Sequence, residues 1–176
     1  MYIKNTKFKG LKIINGNSFF DKRGFFREIF KKKILKQHKP IFWCISKSKK
    51  NVLRGLHIQV KNTQEKFVTV IKGKIIDVVV DLRKNSNTFG KHFKIILSSK
   101  KSNSLLIPAG FAHGFLTLSN ENIILYSNSN YRSKKNEIGL LWNDKKLKIN
   151  WPIKKPIIST KDKFNLTLNQ YIQKYN

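Results

Sequence analysis

One cysteine, four histidines and nine acidic side chains in 176 residues leave few residues from which a reactive site can be built. The lone Cys44 excludes an internal disulfide and fits a reducing compartment, where it reads as a buried thiol. No apolar run reaches the roughly 20 residues of a membrane-spanning helix, and Met1-Tyr2-Ile3-Lys4-Asn5 leads into no signal-like stretch. The expectation is a cytoplasmic chain with no membrane partner. Arginine is scarce as well: of 37 basic residues only Arg23, Arg27, Arg54, Arg83 and Arg132 are Arg.

Lysine is what the chain has in excess, and it brings the net charge to +28. Such a charge invites a nucleic-acid reading, since cations on a protein displace the counterions of a phosphate backbone. Nucleic-acid grooves, however, favour Arg forks clustered with exposed aromatics. Here the lysines are scattered among Asn and Ile along the whole chain, which is the mark of a general composition bias, so no nucleic-acid partner is expected. A hydrophobic content of 40% over this length suits a single domain spanning residues 1–176.

Strand signals dominate. Phe67–Ile71 and Lys74–Leu82 are rich in β-branched residues and flank Lys72-Gly73, a spacing that predicts a hairpin. Further strands are expected at Lys94–Leu97, Ser104–Ile107, Gly114–Leu118 and Ile123–Tyr126, separated by Asn- and Ser-rich turns. Helix is expected only from about Phe30 to Gln37 and in a turn or two after Asp162. Short strands at this spacing indicate an all-β sandwich or jelly roll with short peripheral helices.

The feature that carries chemistry is Arg54-Gly55-Leu56-His57, upstream of Lys66 and of His113 in Pro108-Ala109-Gly110-Phe111-Ala112-His113-Gly114. Small jelly rolls of the cupin type often hold a metal on a His-x-His, Glu and final His set. His57 and His113 keep two of those places, but Gln59 stands for the second His and Lys66 for the Glu. An ammonium repels a divalent cation until it loses its proton, so neither metal nor cofactor is expected. A histidine, a lysine and a tyrosine in one barrel suit proton transfer beside a carbonyl: a base removes the proton, a cation holds the enolate oxygen, and a phenol returns a proton. Return from the opposite face is epimerisation.

Several segments in order along nearly the whole chain resemble the cupin-fold nucleotide-sugar 3,5-epimerases. They are Asp21–Glu28, Asn51–His57, Asp77–Arg83 with Thr88-Phe89-Gly90, Ile107–Leu116, Trp142-Asn143-Asp144 with Trp151-Pro152, and Ser159–Asp162. The resemblance implies a cupin-type jelly roll, a homodimer, and action on a nucleotide-diphosphate 4-keto-6-deoxy sugar, with surface-polysaccharide deoxysugar supply as the pathway. It also implies roles: His57 as base, Asp162 as its orienting carboxylate, Tyr126 rather than nearby Tyr131 as acid, and Lys66 facing the oxyanion. Arg23, Glu28, Arg54, His113, Arg132, Glu137 and Lys161 match substrate-contact positions. Without the match, a lone His reads as a satisfied core residue, Asp162 as a turn or cap, and Glu28 and Glu137 as ion-pair partners of local lysines.

Two departures stand out. The family commonly has Gln-x-Asn where this chain has Phe42-Trp43-Cys44, and a Tyr where it has Arg132. Phe and Cys cannot supply amide hydrogen bonds, so the substrate's identity, and whether C3, C5 or both invert, stay open. A 3-epimerase, a 5-epimerase or a ketoisomerase of this fold remains an alternative, as does a non-enzymatic basic sugar- or nucleic-acid-binding cupin.

Overall fold

The computed structural model describes residues 1–175. β1 (Tyr2–Asn5) and β2 (Lys12–Asn15) pair with each other, and β3 (Ser18–Asp21) and β4 (Gly24–Arg27) form a separate hairpin. Then come β5 (Phe42–Lys49), β6 (Leu53–Gln59), β7 (Lys66–Lys72), β8 (Lys74–Asp81), β9 (His92–Ser98), β10 (Asn103–Ile107), β11 (Phe111–Thr117), β12 (Glu121–Asn128) and β13 (Glu137–Gly139). Two short helices, α1 (Thr160–Lys163) and α2 (Leu168–Tyr175), follow. The strands form a six-stranded sheet, β1-β2-β10-β7-β12-β5, and a five-stranded sheet, β13-β6-β11-β8-β9, which face each other as an all-β jelly roll.

Three apolar clusters explain the layering. Val68, Val70 and Ile124 of the larger sheet meet Ile75, Val79, Leu97 and Phe115 of the smaller one between the sheets. The outer face of the five-stranded sheet carries Leu56, Ile58, Val78 and Val80, which are covered by Leu140, Leu147, Trp151, Leu168 and Tyr171 of the C-terminal segment. Both faces of that sheet are therefore buried, which is why β8 is a nearly continuous apolar run. On the outer face of the larger sheet, Phe67 and Leu106 pack with Ile14 and Leu35. At the edge of that sheet β5 alternates instead: Trp43 and Ile45 face solvent while Phe42, Cys44 and Ser46 turn inward and are half-buried.

Two expectations are corrected. Phe67–Ile71 and Lys74–Leu82 are not a hairpin: β7 pairs with β10 and β12, and β8 with β11 and β9, so Lys72-Gly73 is a corner where the chain leaves one sheet for the other. Gly73 has φ 90°, and a Cβ there would sit 2.4 Å from the Glu121 carbonyl oxygen. Both strands carry apolar residues on both faces, and placing them in facing sheets lets Val68 and Val70 of β7 pack in one cluster with Ile75 and Val79 of β8. Nor is Phe30–Gln37 a helix. Only isolated turns form there, closed by Ile34 N–H and Leu35 N–H to Lys31 O. The segment is held by tertiary contacts: Leu35 is buried, and fully buried His38 bridges Glu65 Oε1 at 2.6 Å and Ser127 Oγ at 2.7 Å.

The segment singled out above contains a β-bulge. Across β6 and β11, His57 pairs with His113 and Arg54 with Phe115, so three steps on β6 match two on β11. The extra residue reverses the strand's alternation, and Arg54 and His57, three apart, come to the same face. Glycines permit it. Gly55 has φ 114°, and a Cβ there would lie 2.6 Å from both Gly114 Cα and His113 O. Replacing Gly55 with alanine is expected to destabilise the fold by about 3 kcal/mol through strain and overpacking; thermal unfolding checks this, and an unchanged midpoint would contradict it.

Candidate active site

Between the sheets at one end of the jelly roll lies a cavity of about 730 Å³. The larger sheet lines it with Phe42, Cys44 and Ser46 of β5, Lys66 of β7, and Tyr126 and Asn128 of β12. The smaller sheet adds Arg54 and His57 of β6, His113 of β11 and Glu137 of β13. Lys161 and Asp162 of α1 close one side. Strand pairing sets the rows: Lys66, Asn128 and Phe42 lie side by side, as do Val68, Tyr126 and Cys44.

His57 Nε2 is 2.6 Å from Asp162 Oδ1. The C-terminal segment brings that carboxylate 105 residues along the chain: Ile157 bridges to Val52, and Ser159 caps α1 by accepting from the Asp162 N–H at 3.1 Å. Burial works to raise the Asp162 pKa, but the hydrogen bonds from His57 and Ser159 prevail and hold it below the usual carboxylate value. A second pair lies beside the first, with His113 Nε2 2.8 Å from Asp77 Oδ2 and the other oxygen of Asp77 buried without a partner among the described residues. Asp77 was not singled out as a site residue. Its place in an apolar run, Ile76-Asp77-Val78, was the available signal, because a carboxylate inside a buried strand needs a partner.

On the opposite wall the Tyr126 hydroxyl lies 2.9 Å from Ser46 Oγ, and burial drives its pKa above the ordinary phenol value. Tyr131, by contrast, is 65% exposed at the rim, with its ring 6.2 Å from that of Phe42. Lys66 has no ion-pair or hydrogen-bond partner for its side chain among the described residues, and burial lowers its pKa, with Glu137 and Cys44 pulling the other way. Glu137 accepts from Arg132 at 2.9 and 3.0 Å and from Lys161 at 2.7 Å; burial opposes ionisation, yet these bonds bring its pKa down to about 2. Arg54 donates from Nε to Ser48 Oγ at 3.1 Å.

Nine of the eleven residues singled out from the sequence thus line one cavity; Arg23 and Glu28 do not. Arg23 is at the tip of the β3–β4 hairpin, ion-paired with Asp21 at 2.7 Å, and Glu28 pairs with Lys31 at 2.7 Å. Among the described residues, no three of His, Cys, Asp and Glu are grouped so as to hold a metal ion. His57 of the smaller sheet, with the α1 carboxylate of Asp162 against it, thus shares the cavity with the Tyr126 phenol of the larger sheet, and Lys66, on the same sheet as the phenol, has no partner among the described residues; such a set is suited to proton transfer at carbon. Comparison with known proteins gives that chemistry a family. A family model described as dTDP-4-dehydrorhamnose 3,5-epimerase matches residues 5–170.

The chain belongs to the dTDP-4-dehydrorhamnose 3,5-epimerase family. It is an isomerase of the epimerase type. The Shigella flexneri dTDP-4-dehydrorhamnose 3,5-epimerase is 42% identical over 168 residues, covering 92% of this chain and 93% of that one. The crystal structure of the Legionella pneumophila dTDP-6-deoxy-D-glucose-3,5-epimerase, in complex with dTDP-4-keto-L-rhamnose, superposes with a TM-score of 0.90 at 38% identity, covering 95% and 92% of the two chains. A 3′-monoepimerase from Streptomyces bikiniensis, solved with dTDP-quinovose, also has a TM-score of 0.90, at 25% identity and 98% and 90% coverage. The cupin-type jelly roll is therefore common to enzymes that invert one carbon and enzymes that invert two.

Cys44 offers a probe of the cavity wall. Burial pushes its thiol pKa above the ordinary value, only partly offset by Asn128 and by the charges of Lys66 and Arg132. Alkylation by iodoacetamide at pH 7.5 is expected to be roughly tenfold or more slower than for a free thiol and to accelerate only above pH 9. Mass spectrometry reads this on the one cysteine; free-thiol kinetics at neutral pH would contradict it.

Proposed function

We propose that this protein converts dTDP-4-dehydro-6-deoxy-D-glucose to dTDP-4-dehydro-L-rhamnose, inverting C3 and C5 without metal or cofactor. The observation that carries the reading is the placement of the His57–Asp162 pair and the Tyr126 phenol on facing sheets, with Lys66 alongside. A sugar ring lying between the sheets presents one face to each group. The 4-keto group is needed because it acidifies the hydrogens on both neighbouring carbons.

His57 removes the proton beside the ketone, and Asp162 stabilises the imidazolium that results and holds its ring. The Lys66 side chain, unpaired in the protein, holds the enolate oxygen. Tyr126 returns a proton to the other face; its raised pKa keeps the phenol protonated until the carbanion is there to accept. Arg54, Arg132, Lys161 and His113 surround the space left for the nucleotide diphosphate, where a guanidinium grips phosphate oxygens through paired N–H donors. The nature of this ligand also explains the local excess of cations that one carboxylate, Glu137, serves to arrange.

A second reading, inversion at one carbon only, is favoured by Phe42 and Cys44. Both line the cavity beside Asn128 and Tyr126 and offer no amide to a sugar hydroxyl. Incubation with the dTDP-linked 4-keto sugar in D2O separates the two. Deuterium at both C3 and C5 supports the main reading, deuterium at one carbon the second, and deuterium at neither refutes both. His57→Ala is expected to lower the rate by 10³-fold or more and Tyr126→Phe by 10²-fold or more, from the usual worth of positioned acids and bases; activity undiminished in both would refute the mechanism.

We also propose a cytoplasmic homodimer built from this one domain. The β3–β4 hairpin exposes Phe19, Phe20, Phe25 and Phe26, each more than half open, and the edge strand β5, paired on one side with β12, shows Trp43 and Ile45. Such an apolar surface is expected to be covered by a second copy. The hairpin would then carry Arg23, and Glu28 just beyond it, away from their own cavity and toward the neighbour's. Phe20→Ser with Phe26→Ser is expected to shift sedimentation toward monomer and to raise KM; a dimer of unchanged stability would rule the hairpin out as the interface.

A further inference from the structure

Resting on the epimerase reading above, we propose that Ser46 is a positioning residue that holds the Tyr126 phenol and returns its proton after each inversion. Ser46 is half-buried on the cavity wall, with its Oγ 2.9 Å from the Tyr126 hydroxyl, and either oxygen can donate. Tyr126 pairs across the sheet with Cys44, while Ser46 pairs with Ile124, so the phenol leans along the strand to reach the serine diagonally. Two residues on, Ser48 accepts from Arg54 Nε at 3.1 Å. One face of β5 therefore fixes both the phenol and the guanidinium whose charge acts on it.

The chemistry requires such a partner. Once Tyr126 has given its proton to carbon it is a phenolate in a buried wall, and burial disfavours that anion. Across one inversion the C–H proton passes to His57 and its electron pair enters the enolate. That pair then forms the new C–H bond with the Tyr126 proton. The Ser46 O–H proton moves to the phenolate as Ser46 takes a proton from cavity water, and His57 discharges its proton to water. Bonds, charge and protons all return to their starting state. Without Ser46 the phenolate loses its donor and waits for water alone, whereas removal and return of a proton by His57 on the same face of the sugar is untouched.

The test is turnover and deuterium placement by Ser46→Ala and Ser46→Thr in D2O. Ser46→Ala is expected to lower kcat about tenfold, the usual cost of one hydrogen bond to a charged group, with KM within twofold of wild type. The ratio of deuterium incorporated with retention to deuterium incorporated with inversion should rise. Ser46→Thr, which keeps the hydroxyl, should restore both. Should alanine unfold the strand, Ser46→Cys, close in size and a poor donor, gives the same readout. Wild-type kcat and ratio in Ser46→Ala would overturn the role, as would equal impairment of the alanine and threonine variants, which would mark a loss of packing. Absence of any exchange in the wild-type protein would instead overturn the epimerase reading, and the role of Ser46 with it.

Discussion

Where β6 passes β11, two glycine backbones approach so closely that a methyl group on Gly55 would lie 2.6 Å from Gly114 Cα, and one on Gly114 would lie 2.6 Å from Arg54 O. The bulge made possible by that contact turns Arg54 and His57 to the same side. In a regular strand, residues three apart point to opposite faces, and one of the two would have been buried against the C-terminal segment. The cavity's composition follows from this irregularity. Everything else on the smaller sheet, including His113 directly opposite His57, takes its place from ordinary alternation.

The scarcity of acidic residues becomes meaningful once each is located. Asp162 and Asp77 hold the two cavity histidines, Glu137 holds Arg132 and Lys161, and Glu65 holds His38 behind the larger sheet. Asp81 binds Arg83, Ser86 and Thr88 in the turn after β8, and Asp144 receives the N–H of Leu168 at the start of α2. Glu121 pairs with Lys47 and Lys72, and only Asp21 and Glu28 serve the peripheral hairpin region. With the carboxylates committed in this way, the basic residues far outnumber the acidic ones that could neutralise them, and the net charge stays at +28. The field it leaves favours a polyanionic small molecule such as a nucleotide diphosphate.

Much of the site was legible because its chemistry depends on rare residue types at motif spacing. His57 and His113 could be read from such patterns, Lys66 from its place at a ligand position and Asp162 from the family resemblance alone, and the structure gathers the four into one cavity. Residues whose importance depends only on a neighbour were not legible. Ser46 is one serine among many until the Tyr126 hydroxyl is seen beside it, and His38 lies just past a segment whose composition reads as helix. Helical signal at Phe30–Gln37 lost to the stronger demand of burying Leu35 and bridging Glu65 with Ser127. The turn at Lys72-Gly73 was correctly located but wrongly interpreted, since glycine with positive φ serves a sheet-to-sheet corner as readily as a hairpin.

By itself the sequence determined that the chain is a β-rich jelly roll with histidines at two motif positions. Residue types, alternation and motif spacing are local properties that survive without a fold. The tertiary structure decided the pairing of strands, because apolar residues on both faces of β7 and β8 can be satisfied by several neighbours and only packing selects among them. It decided that His57 meets a carboxylate 105 residues away and that the phenol faces it from the other sheet. It also placed Arg23, at the tip of the exposed β3–β4 hairpin, and Glu28, just beyond that hairpin, outside the cavity, where each pairs with a local side chain.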